Sequence, residues 1–203
     1  VGDAEYHMYD VPSCYHNFAT PEEHAKFSAQ GPELTIEEAR ELELPLRGDF
    51  PSGRVQPCVL SFSMGDAKGV PCAQEGMTEV GSRAGLDRWE LLQLDSPAPP
   101  GSLWATICID DVIMQKDLGA EDGGDRKDER IGKMLREELT KLGIPPKESK
   151  VWEKVKEIAG LGAQQNGVSG RCGARLSAIA QLMMLNLLFL NVRRGTRKAV
   201  EKL

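Results

Sequence analysis

The last third of the chain contains a segment that is apolar on every side of a helix. Between Arg175 and Arg193 the sequence is LSAIAQLMMLNLLFLNV, 17 residues without a charge. Large apolar side chains fall all around a 3.6-residue period, so such a helix must be enclosed by its own domain, by a partner or by a membrane. The residues that we expect to bind a partner here are Leu182, Leu185, Leu188 and Phe189.

Three environments are open to this helix. A membrane span needs about 17–25 apolar residues, and the flanking arginines can reach the headgroups. However, Ser177, Gln181 and Asn186 are unfavourable at that depth unless they face protein. We therefore expect an enclosed central helix, within the chain's own domain or completed by partner subunits. A membrane span and a helix lying in the membrane interface are the alternatives.

Charge is divided unevenly along the chain. Residues 1–130 hold 11 Lys+Arg and 25 Asp+Glu, a net charge of −14, whereas residues 131–203 hold 14 and 6, a net charge of +8. The basic end contains Arg193, Arg194, Arg197 and Lys198. These side chains can meet the acidic part of the fold, complement a helix dipole or bind an anionic partner such as nucleic acid.

The five cysteines do not form a disulfide framework, because their number is odd, they are widely spaced and no CxxC occurs. This pattern predicts an intracellular, reducing compartment. The chain opens Val1-Gly2-Asp3 without an initiator methionine. That start fits the removal of a leader, and hence an organellar protein, as well as a trimmed sequence.

We expect the first 53 residues to form an extended arm with two short helices. Thr20-Pro21-Glu22-Glu23 and Thr35-Ile36-Glu37-Glu38 both place a capping residue three positions before a glutamate. Gly31 and Pro45 end the two helices. The proline-rich arm has little core of its own, so it would wrap over another surface.

A small antiparallel β domain is expected over residues 54–116. Alternation of apolar and polar residues predicts one strand over 58–64, and two further strands are predicted over 88–94 and 103–109. A rigid loop rich in proline joins the last two. Residues 65–85 are rich in glycine and weakly patterned.

An acidic linker over 117–130 precedes a basic helical domain over 131–203. An amphipathic helix is expected from Ile131 to Leu142, ended by Gly143. A second helix is expected over 146–159, and the apolar helix is the third. The predicted fold class is therefore α+β: an N-terminal arm with short helices, a small antiparallel sheet and a C-terminal three-helix domain with a central apolar helix.

Two groups of residues are candidates for chemical sites. Asp110 and Asp111 follow an apolar strand and are weak candidates for a Mg²⁺ site, since no phosphate cradle accompanies them. Cys14 and His16, with His7 and His24 nearby, lack the ligand number of a zinc site and are interpreted as an ordinary cysteine and scattered surface histidines. We expect no cofactor and no catalytic residue.

These observations predict a non-catalytic interaction subunit of a larger multiprotein assembly. The alternative is a nucleic-acid-associated protein, ribosomal or nucleocapsid-like, that uses the basic C-terminal helix. The third hypothesis is a Mg²⁺-dependent enzyme that uses the pair Asp110 and Asp111.

Overall fold

The computed structural model describes residues 3–62, 66–93, 96–120 and 125–192. Within these ranges it contains five α-helices and three antiparallel sheets. The strands are Ala4–Asp10 (β1), Leu34–Thr35 (β2), Arg54–Val55 (β3), Leu103–Cys108 (β4), Asp111–Asp117 (β5), Trp152–Val155 (β6), Glu157–Gly160 (β7), Ala163–Asn166 (β8) and Arg171–Ala174 (β9). The helices are Glu22–Ala25 (α1), Ile36–Glu41 (α2), Gly69–Arg83 (α3), Lys127–Lys141 (α4) and Leu176–Val192 (α5).

The largest sheet has four strands in the order β4-β5-β1-β6. β1 lies inside it, paired along its whole length with β5 and on its other side with β6. In the β1–β5 register Ala4 faces Asp117 and Asp10 faces Asp111. β2 pairs with β3 in a second sheet, and β7, β8 and β9 form a third.

The two faces of the large sheet are covered by different elements. On one face Tyr9, Ala105 and Met114 join the main hydrophobic core, to which helices α3 and α4 contribute. On the other face Tyr6, Met8 and Ile113 form a smaller core with Ile158 of β7. Because successive side chains of a strand point to opposite faces, β1 contributes to both cores and is almost completely buried.

The prediction of an N-terminal arm is wrong for its first residues. β1 is an internal strand of the sheet, and its partners β5 and β6 follow it far along the chain. The alternation in AEYHMYD is hard to recognise because Glu5, His7 and Tyr9 occupy the face toward α4, where they are stabilised by polar contacts rather than by apolar packing alone.

Within the glycine-rich stretch 65–85, the structure has a 15-residue helix, α3, that the sequence pattern does not predict. Its glycines allow close packing rather than a turn: a Cβ on Gly76 would collide with the Phe18 ring, and one on Gly81 would lie 2.8 Å from Ile107 Cδ1. Pro71 lies in the first turn, where a missing N–H costs nothing. Glycine has a low helix propensity, so the glycines of α3 are explained by the close contacts of the tertiary structure and not by the preference of the segment for a helix.

The prediction of a helix over 146–159 is also wrong. This stretch forms a short 3₁₀ helix and then β6 and β7. Between the pairs Tyr6–Val155 and Met8–Trp152, β1 has one residue and β6 has two, which makes a β-bulge. The extra residue breaks the two-residue alternation, so the apolar residues Val151, Val155 and Ile158 acquire the spacing of a helix.

Two predicted strands do not form. In the described part of 58–64, Cys58 and Ser61 make single bridges to Ala29 and Ala19. Residues 88–90 are a 3₁₀ helix, and Leu91 makes one parallel bridge to Ala105. The partner of β4 is instead β5, which follows it directly through a two-residue turn.

The first predicted capping box, at Thr20, does not form: α1 spans only Glu22–Ala25, and its N-cap residue is Pro21, without a side-chain cap. The second capping box, at Thr35, is confirmed. α2 begins at a capping box in which Thr35 Oγ1 accepts from the Glu38 N–H at 3.2 Å and Thr35 N–H donates to Glu38 Oε2 at 2.8 Å. Strand β4 occupies its predicted segment. α4 contains the predicted amphipathic helix, with Ile131, Leu135 and Leu139 buried, but it begins at Lys127, inside the stretch predicted to be an acidic linker. In these confirmed elements the local pattern and the tertiary environment agree.

The predicted three-helix domain is contradicted, because strands β6 to β9 lie between α4 and α5. α5 itself follows the predicted segment from Leu176, but its described side chains, those of residues 176–186, do not form the centre of a core. Leu176, Leu182 and Met183 are exposed. The fold class is corrected to a mixed α/β arrangement of three sheets and five helices over the described residues.

We expect Gly132→Ala to destabilise the fold by about 1–3 kcal/mol, the usual cost of overpacking a core. A Cβ at Gly132 of α4 would collide with Tyr9 Oη, and Tyr9 is fully buried. Urea unfolding followed by circular dichroism measures the change. The matched control is Gly173→Ala, where a Cβ meets nothing within 4 Å; equal effects of the two substitutions would contradict the assigned packing.

Candidate functional site

The predicted partner-binding residues of α5 lie partly within the described structure. Leu182 is 49% exposed and Leu185 is half-buried. The side chains of Leu188 and Phe189, and residues Arg193, Arg194, Arg197 and Lys198, lie outside the described residues. The prediction that the basic cluster binds an anionic partner therefore stays a prediction.

The exposed part of α5 is strongly apolar. Leu176, Met183 and Met184 are 76%, 61% and 69% exposed. The helix is joined to the third sheet at its start, where the Arg175 guanidinium donates to the Ala159 carbonyl oxygen at 3.2 Å. Of the described helices, none combines the length and the hydropathy that crossing a bilayer requires.

The pair Asp110 and Asp111 lies at the β4–β5 turn. Asp10 of β1 faces Asp111 in the β1–β5 pairing, and its Oδ2 forms an ion pair with Lys150 Nζ at 2.6 Å. Burial, together with the negative charges of Asp110 and Asp10, raises the pKa of Asp111 above its ordinary value. In the described ranges no three His, Cys, Asp or Glu side chains are placed to hold a metal ion, so the geometry adds no support to the magnesium hypothesis.

Cys14 and His16 are not brought together as a nucleophile and a base. The Cys14 thiol is buried and donates to the Ile109 carbonyl at 3.7 Å, and burial raises its pKa to about 11. His16 lies 3.4 Å from Ser61 Oγ on the surface. Because the thiolate is the reactive form of cysteine, this pair has no activated nucleophile.

The interpretation of His7 as a surface histidine is wrong. His7 lies on β1 and is only 2% exposed. Its Nε2 is 2.9 Å from Oδ2 of Asp128, a carboxylate with no exposed surface in the first turn of α4. A carboxylate accepts hydrogen bonds, so Nε2 is the donor. In the described residues the buried Nδ1 of His7 has no hydrogen-bond partner.

Arg126 compensates the buried charge of Asp128. Its guanidinium donates to both carboxylate oxygens, at 3.2 Å and 2.9 Å, and reaches Glu5 of β1 at 2.9 Å. Burial raises the pKa of Asp128, but the hydrogen bonds from Arg126 and His7 outweigh burial and hold that pKa below its ordinary value. The position at the helix N-terminus also favours a negative charge.

Tyr9 forms a second polar contact on the same face of β1. Its hydroxyl donates to Glu153 Oε1 at 2.9 Å, and it packs against Gly132 of α4. Burial, and then the neighbouring Glu153 charge, raises the pKa of Tyr9 well above its ordinary value. Tyr9 therefore stays a neutral hydrogen-bond donor at physiological pH.

The β6 bulge lies opposite His7. The two residues at the bulge are Glu153 and Lys154, and Lys154 has a φ of +56°. Left-handed backbone is unfavourable for a residue with a Cβ. Bulges of this type bend a strand and redirect its side chains, and they are frequent beside binding sites.

These elements enclose a cleft of about 580 Å³, which we name the His7 cleft. β1 forms its floor, while α4 and the β6 bulge form its walls. Its lining residues are His7, Tyr9, Glu129, Arg130, Lys133, Arg136, Glu137, Glu153 and Lys154. Sequence reasoning did not find this site, because the lining residue His7 and its buried partner Asp128 are 121 positions apart, and Asp128 is one of several acidic residues in a hydrophilic stretch.

No model of a known protein family matches the chain, and a search of curated proteins finds no match to it.

We expect Asp128→Asn to lower the free energy of unfolding at pH 7 by about 3 kcal/mol, because it removes the buried carboxylate that accepts charge-assisted hydrogen bonds from Arg126 and a hydrogen bond from His7. The folded-state pKa of Asp128 is lowered, so the ionised carboxyl stabilises the fold above the unfolded value of about 3.9. This contribution is lost as the pH falls through the folded pKa.

Urea unfolding at a series of pH values tests this expectation. The difference between the parent chain and the Asp128→Asn variant should narrow below pH ~4. Asp49→Asn, at an exposed position, is the control and should change stability little. A difference that is constant with pH would show that Asp128 does not stabilise the fold as a carboxylate.

The strain at Lys154 has a separate test. We expect the Lys154→Gly variant to be more stable than Lys154→Ala by about 1 kcal/mol, because only glycine adopts left-handed backbone without cost. At the ordinary strand position Gln164, the same comparison should favour alanine by about 0.5–1 kcal/mol. Thermal unfolding of the four variants measures both differences, and the same sign at both sites would refute the strained bulge.

Proposed function

We propose that this chain is a non-catalytic subunit of a protein assembly, and that it assembles through the exposed apolar helix α5. One observation carries the proposal: the large apolar side chains of residues 176–184 are exposed on a helix of about 25 Å. Transfer of each such side chain from water into an apolar contact stabilises by about 1.5–3 kcal/mol. Association that covers α5 is therefore favoured.

Protein is a better match to α5 than lipid. Ser177, Gln181 and Asn186 interrupt the apolar surface, and Gln181 and Asn186 are exposed. Hydrogen-bonding groups such as these can be satisfied by a protein partner, whereas they are unfavourable among acyl chains. A second copy of the chain is the occupant that we propose, since its own α5 offers the same apolar surface and the same need for burial.

Size exclusion with light scattering tests the proposal on the full chain. We expect a mass of at least twice the 22.3 kDa of one chain. The double substitution Leu182→Glu and Met183→Glu should yield a monomer, because it places charges within the apolar contact. Gln181→Glu is the matched control, since it adds a charge at a neighbouring position that is already polar, and it should leave the assembly intact.

Two results would overturn the proposal. One is a monodisperse monomer of the parent chain at the highest concentration reached. The other is flotation of the parent chain with phosphatidylcholine vesicles that the double substitution abolishes, which would assign α5 to a membrane surface.

A further inference from the structure

His7 lines the cleft, and its ring nitrogen Nδ1 is buried without a hydrogen-bond partner among the described residues. Because Nδ1 has almost no accessible surface, a ligand reaches it only when the side chains around the ring move aside. Asp128 occupies the Nε2 side of the His7 ring, and the carboxylate requires Nε2 to be the donor. In the neutral ring, Nδ1 then carries a lone pair and is an acceptor. A buried acceptor without a partner is unfavourable. A ligand group that donates a hydrogen bond to Nδ1 would remove this cost, which favours its binding.

Most of the basic side chains of the cleft already form ion pairs with acidic residues of the described chain, and one does not. Lys154 pairs with Glu129 at 2.7 Å, and Arg136 pairs with Glu148 at 2.9 Å and with Glu153 at 3.6 Å. Lys133 forms no ion pair with any residue that the structure describes, and it is exposed on the α4 wall. Because Arg130 is also paired, with Asp125 at 2.6 Å, Lys133 is the cation of the cleft that remains available to a ligand.

The size and charge of the cleft limit the ligand. A volume of about 580 Å³ is that of a small-molecule site. Four basic and three acidic side chains line it, which leaves a formal charge of +1. Glu137 lies one turn beyond Lys133 on α4 and repels a second anionic group, so the balance favours a ligand with a single anionic centre.

From these observations we propose that the His7 cleft binds a small hydroxylated oxyanion, with the anionic group at Lys133 and a hydroxyl group donating to His7 Nδ1. The network of Asp128 and Arg126 holds the His7 ring, as a hydrogen-bonded carboxylate orients a histidine. The strained bulge at Lys154 shapes the opposite wall. This site is separate from α5 and does not depend on its role in assembly.

Histidine ring ¹⁵N NMR of the full chain tests the proposal. The probe is glycerol 3-phosphate, and the comparison is sulfate, which has a similar charge but no hydroxyl group. The exposed His16 and His24 are internal controls. At constant ionic strength, glycerol 3-phosphate should shift the His7 nitrogens in a saturable way and leave the other two rings unchanged. Sulfate should bind at least tenfold more weakly.

A matched pair of lysine variants completes the experiment without disturbing the buried network. Lys133→Gln should weaken glycerol 3-phosphate binding at least tenfold. Lys141→Gln, at an exposed lysine of α4 outside the cleft, should have no effect. The proposal is overturned by equal binding of sulfate and glycerol 3-phosphate, by equal shifts at all three histidines, by a His7 response that survives Lys133→Gln, or by no response to either probe.

Discussion

The burial of one carboxylate, that of Asp128, determines how helix α4 packs against strand β1. Asp128 has no exposed surface, so its charge must be compensated by donors from the fold itself. His7 supplies one donor from β1 and Arg126 supplies two from the start of α4. These contacts hold α4 against β1, and the same helix then places Gly132 against Tyr9 and Leu135 in the main core.

The same constraint accounts for the position of the His7 cleft. A sheet face that carries Glu5, His7 and Tyr9 cannot be covered by an apolar helix surface alone, because each polar group must find a partner. α4 supplies such partners at its N-terminal end, and the β6 bulge supplies Glu153 for Tyr9. Ion pairs join the bulge to α4, Lys154 with Glu129 at 2.7 Å and Arg136 with Glu153 at 3.6 Å, and these side chains line the cleft.

α5 stands in contrast to this compact part of the fold. The main core takes its apolar residues from β1, β4, β5, α3 and α4, and its buried residues include none from the described part of α5. The exposed residues of α5 are therefore unused by the described tertiary structure, and this is the physical basis of the proposed assembly. The two proposals concern separate surfaces, a polar cleft and an apolar helix.

The sequence by itself determined the elements whose signals are local: the capping box at Thr35 and Glu38, the apolar strand β4, the apolar stripe of α4 and the uniformly apolar α5. Only the tertiary structure decided the rest. The segment of β1 is predicted from the sequence to be part of an arm, and it becomes a strand because β5 and β6 pair with it. The segment of α3 is rich in glycine and weakly patterned, and the contacts of Phe18 and Ile107 explain its glycines. The extra residue at Glu153 and Lys154 gives a strand the apolar spacing of a helix. The His7–Asp128 contact joins residues 121 positions apart, and no local pattern encodes a hydrogen bond between atoms that meet only when β1 and α4 pack.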